Sequence, residues 1–155
     1  MKEQLPVVNG VSAAGREVEV FDRVGQIDSA VAVLEELVSK YPNNGSVLNY
    51  LGYLLADKNL RLEYARDLIK RALDLEPKNS AFLDSYGWVF YRLKDYDKAV
   101  KYLKLAAETA RDAVIFEHLG DAYAAQGKRT EAHEWWQKAL ELDPQKIDLA
   151  EKLKQ

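Results

Sequence analysis

Large apolar side chains recur along this chain at intervals of three and four, the period of a helix with one buried face. Between residues 81 and 111, Leu83, Tyr86, Gly87 and Phe90 fall at i, i+3, i+4 and i+7. The polar pair Lys94-Asp95 interrupts the stripe, and Ala99, Leu103 and Ala106 resume it on a second helix. The same two-helix block occurs at 46–77 and 114–144. Its glycines stand at 52, 87 and 120, and its alanines at 65, 99 and 132 and again at 72, 106 and 139. Pro77 and Pro144 close the first and third blocks. A degraded block precedes them, with Ala30, Leu34, Leu37 and Pro42 standing 35 residues before Ala65, Ile69, Ala72 and Pro77. A fixed period of this length predicts an all-α array of stacked helix pairs. Small residues at fixed places let paired helices approach closely.

The expected boundaries are a flexible tail at 1–15 and a repeat domain at 16–155. That domain divides into a degraded repeat at 16–44, repeats at 45–79, 80–112 and 113–144, and a capping helix at 145–155. Gly10 and Gly15 interrupt the first helix, which is therefore expected to start near residue 16. Ser46, Asp112 and Asp143 stand where N-caps belong, and Gly127 stands in a turn. Ile147, Ala150 and Leu153 are expected to cover the end of the stack, with Trp135 under the terminal helix.

The recurring motifs resemble the tetratricopeptide repeat family. Its large–Leu-Gly–aromatic pattern matches Leu48, Leu51, Gly52 and Leu55; Leu83, Tyr86, Gly87 and Phe90; and Phe116, Leu119, Gly120 and Tyr123. Its Ala, large, Ala, Pro series matches Ala65, Ile69, Ala72 and Pro77, and Ala132, Trp136, Ala139 and Pro144. The middle repeat has Arg111 in the proline place, and the degraded one has Glu17-Val18 in place of Leu-Gly. The last three repeats are also similar to the C-terminal repeats of bacterial envelope tetratricopeptide lipoproteins. The resemblance implies a right-handed solenoid whose first helices line a concave peptide-binding groove. That groove would hold Asn49, Tyr50, Tyr53, Asp57, Asp84, Ser85, Trp88, Tyr91, Arg92, Glu117, His118 and Asp121. Trp88 and Tyr91, with Asp84, share a side of their helix away from the apolar stripe. Tyr and Trp are favoured as interface anchors, and the alternative is that Trp88 only packs on its neighbours.

Charge narrows the partner. Asp57, Asp84, Glu117 and Asp121 stand against Arg92 as the clear cation, so a basic or apolar segment is expected in the groove. One branch of the family grips acidic C-terminal peptides through Lys, Asn and Arg; of that clamp only Asn49 is present here. The alternative is that the carboxylates are ordinary solvated charges.

Composition removes other classes. The chain has 155 residues, a net charge of −3, 48% hydrophobic residues and no cysteine. It lacks the basic excess of a nucleic-acid binder and every thiolate site. No apolar run approaches the ~20 residues of a membrane span, so the chain as it stands is expected to be soluble. Gly127-Lys128-Arg129-Thr130 lacks the remainder of a phosphate loop, and two histidines at unrelated places give no metal spacing. Asn44-Gly45-Ser46 matches a glycosylation sequon but reads as a turn. No nucleophile–base pair is present, and neither cofactor nor metal is expected. The chain is read as a non-catalytic protein- or peptide-binding adaptor. The alternative is a structural module that self-associates through its degraded first repeat, at the end of a longer scaffold.

Overall fold

The structure, a computed structural model, describes the backbone from residue 4 to residue 155 and side chains from residue 14. Among the described residues there are nine helices and no strand: α1 (Gln4–Arg23), α2 (Ile27–Lys40), α3 (Gly45–Asp57), α4 (Leu62–Leu75), α5 (Ser80–Arg92), α6 (Tyr96–Thr109), α7 (Ala113–Ala125), α8 (Arg129–Leu142) and α9 (Ile147–Leu153). The helices group into two compact units, Met1–Leu75 and Glu76–Gln155. In the first unit α1 packs on α2, α2 on α3 and α3 on α4. In the second, α5 packs on α6 and α7, α6 on α7, α7 on α8 and α8 on α9.

Each unit buries the stripe that the period marks. Val18, Ala30, Leu34, Leu51, Leu68 and Ile69 are buried in the first unit, and Val89, Leu103, Leu119 and Leu149 in the second. The repeat glycines stand where paired helices meet. A Cβ on Gly87 would lie 2.5 Å from Leu103 Cγ and 3.1 Å from the Ala99 carbonyl oxygen. On Gly52 it would lie 2.5 Å from Ile69 Cγ1, and on Gly120 it would collide with the Trp136 ring. Gly87→Leu should therefore cost about 1–3 kcal/mol by overpacking. A urea midpoint equal to the parent's would contradict this close-packing argument.

Local chemistry sets the helix ends. Asn44, Asn79, Asp95 and Asp112 are the N-caps of α3, α5, α6 and α7, each accepting from backbone N–H groups of the first turn. Lys94, in the α5–α6 turn, has φ 68°, and Gly127 holds φ 81° between α7 and α8.

Four expectations are corrected. The cap of α3 is Asn44, not Ser46: its side-chain oxygen takes the Val47 N–H at 3.0 Å, because the helix already begins at Gly45. Asp143 closes α8 by donating its own N–H to the Ala139 carbonyl, and α9 starts after Lys146 with no side-chain cap. α9 docks through Leu149, fully buried, whereas Ile147 is 77% exposed; two helical positions are ~200° apart, so the two face opposite ways. Finally, α1 begins at Gln4 and not near residue 16. Two interior glycines lower its propensity without breaking it, since Val18 is buried and α1 packs along α2. Part of the tail expected over 1–15 falls on residues 1–3, outside the described residues.

Candidate functional site

Two faces of α5 separate cleanly. Tyr86 and Phe90 pack on Tyr102 of α6, with ring centroids 4.7 and 5.8 Å away. Away from this stripe, Trp88 is stacked on both sides. The Tyr91 ring lies parallel at 4.7 Å, and the His118 ring of α7 lies at 4.0 Å. His118 Nδ1 is 2.8 Å from Asp84 Oδ1, joining α7 to α5 a second time. Asp84, Trp88 and His118 are all buried, with Trp88 8% exposed. Arg92 stands 5.9 Å from the Trp88 ring, a cation–π distance. Ser85 is buried in the same helix. Half-exposed Tyr91 and Arg92 form the open edge of this array.

Beside the aromatic stack lies a charge cluster. Lys152 Nζ on α9 donates to Glu117 Oε2 at 2.6 Å and to the two Asp121 oxygens at 2.9 and 3.1 Å. Lys146 Nζ holds the other Glu117 oxygen at 2.9 Å. The Trp136 indole N–H donates to Asp121 at 3.0 Å. Burial by itself would raise Glu117, but the hydrogen bonds from Lys152 and Lys146 hold its carboxyl down to about 2. Asp121 ends above the usual carboxylate value because its burial outweighs the help of Lys152. The Lys152 ammonium is raised: Glu117 and Asp121 outweigh the cost of its desolvation. Tyr91 is raised by burial and then by the Asp121 charge.

The twelve residues expected in a groove thus fall into two groups. Asp84, Ser85, Trp88, Tyr91, Arg92, Glu117, His118 and Asp121 come together on α5 and α7 of the second unit. Asn49, Tyr50, Tyr53 and Asp57 share α3 of the first unit; the first three are half-buried and Asp57 is exposed. Burial, then Glu19 and Asp22, raise the Tyr50 phenol.

Two readings change. Glu117 and Asp121 are neither open acidic groove charges nor solvated ones, because α9 neutralises them. Arg92 is accordingly not the sole cation of this face. The signal was present as spacing: Lys152 follows Glu117 by 35 residues and Asp121 by 31, about one repeat. Trp135, expected under the terminal helix, meets the Phe116 ring edge-on at 5.1 Å, with Lys138 Nζ over it at 4.2 Å. Among the described residues no helix is long and apolar enough to cross a membrane.

Profiles described as tetratricopeptide repeat match residues 14–44, 58–114 and 113–146. A TPR repeat-containing protein of Pseudomonas aeruginosa, PA4667, is 40% identical over 88 residues, 57% of this chain and 15% of that protein. The chain therefore spans a small part of that curated relative. Among solved structures, a thermophilic TPR protein of Thermus thermophilus, TTC0263, superposes with a TM-score of 0.76 at 25% identity, covering 88% of this chain and 75% of that one. Pseudomonas aeruginosa pilF superposes with a TM-score of 0.79 at 20% identity, over 94% and 66% of the two chains.

Proposed function

The chain belongs to the tetratricopeptide repeat family, an all-α solenoid fold suited to protein–protein interaction, and from that premise we propose that it is a non-catalytic adaptor or scaffold. Its contact surface is the α5–α7 face of the second unit, and its partner presents an extended or helical segment. The observation that carries this reading is the Tyr91–Trp88–His118 stack with Arg92 at its edge. The stack holds Tyr91 rigid before anything binds, so little side-chain entropy remains to be lost. An apolar segment suits the tyrosine platform, whereas a basic one would reach Glu117 and Asp121 only in place of the lysines that already hold them. Tyr91→Ala should weaken partner binding by about 2 kcal/mol if Tyr91 anchors the contact. Calorimetric titration of the partner checks it, and an unchanged affinity in a folded variant removes Tyr91 from the site.

A second reading, self-association through the first repeat, draws on Val20 in the last turn of α1 and Val24 in the turn after it, 51% and 62% exposed. Light scattering over a concentration series tests it. A monomer at every concentration would rule it out.

A further inference from the structure

We propose that Glu117 and Asp121 form a lysine-receiving site, that α9 fills it in cis through Lys146 and Lys152, and that a lysine-bearing partner segment takes it by displacing α9. This rests on the interaction reading above and adds the chemistry of the partner.

The geometry is that of an ammonium receptor. The Lys152 ammonium directs donors to three carboxylate oxygens at 2.6, 2.9 and 3.1 Å, using all the donors a lysine has. A planar guanidinium would pair two oxygens of one carboxylate side by side, a different pattern. Glu117 is 6% exposed, so it sits buried as an anion that must be matched by cations.

Capping alone does not require this arrangement. An end helix needs only apolar contact, which Leu149 supplies, and ion pairs taken from water often stabilise less than apolar residues of similar size. The element carrying the cations is also the easiest to release. α9 has seven residues, too few for a helix stable by itself, and Leu149 is its only buried residue.

The experiment uses the full chain and a fluorescein-labelled peptide of sequence QKIDLAEKLKQ, the sequence of residues 145–155. A release variant carries Lys146→Ala, Leu149→Asp and Lys152→Ala. Anisotropy should show it binding the peptide at least about tenfold more tightly than the unaltered chain does. The gain should vanish when the peptide's first two lysines are alanine, and when Glu117→Gln and Asp121→Asn are added to the variant. Equal binding by the variant and the unaltered chain, or by both peptides, overturns the proposal. If the variant does not fold, hydrogen exchange in the unaltered chain decides. Millimolar peptide should speed exchange of residues 147–153, and unchanged exchange overturns the proposal. Failure here leaves Tyr91 as a contact for another kind of partner. Loss of the adaptor reading would appear instead as partner binding indifferent to Tyr91→Ala.

Discussion

Trp88→Ala should lower the stability of the chain by about 3–5 kcal/mol, the range for removing a large buried aromatic. The side chain is 8% exposed and fills the space between the Tyr91 and His118 rings. Its loss leaves a cavity between α5 and α7 and removes the support that aligns His118 with Asp84. From the sequence, Trp88 stands on the outer side of α5 as either an interface anchor or a residue packed on its neighbours; the structure packs it, because α7 covers this side. Tyr91→Ala, at the half-exposed edge of the same stack, should cost less. Urea melts of the two variants check the order. A Trp88→Ala midpoint at the parent's value would mean that the residue is not packed as described.

Glu117→Ala should cost on the order of 3 kcal/mol and release α9. A carboxyl held from its ordinary 4.5 down to about 2 corresponds to roughly this amount. The cause is the two ammonium groups, and removing their anion leaves Lys146 without its partner. The pH dependence has a defined sign. Glu117 is depressed in the folded chain, so its contribution is complete above about 4.5 and is lost as pH falls towards about 2. Asp121 is raised, so its protonation opposes part of that loss. Lys146 and Lys152 are raised, so their contributions are complete below the ordinary 10.5 and fade as pH rises through their folded values. Protection of the α9 amides, measured against the intrinsic exchange rate at each pH, should therefore fall at both extremes in the parent. Glu117→Ala should abolish most of the acid response, and an acid response as large as the parent's would contradict the assignment.

Much of the fold was legible because the repeat period carries it. Gly52, Gly87 and Gly120 mark close helix approaches, and each proved to stand against the residue four after the first repeat alanine: Ile69, Leu103 and Trp136. The two faces of α5 were also readable, since i, i+4, i+7 put Asp84, Trp88 and Tyr91 together. What could not be read from one helix was what would cover its outer face. Asp84 and His118 lie 34 residues apart, and Lys152 about as far again, so their pairing depends on how successive helices stack. Periodicity names the apolar stripe but does not say that a polar face will be buried by a neighbour. Asp112 caps α7 as expected, but the other two helix starts were missed for a different reason. Asn44, Ser46 and Asp143 all have capping side chains, and only the backbone path selects among them.

The central claim, that the α5–α7 face of the second unit contacts a partner protein, is tested most directly by site-specific photo-crosslinking. A photoreactive amino acid is placed at Tyr91, and in a second sample at exposed Lys104 on α6, in cells of the organism the chain comes from. The account predicts a discrete crosslinked partner from position 91 and none from position 104. Crosslinking from 104 alone, or the same products from both positions, would contradict it.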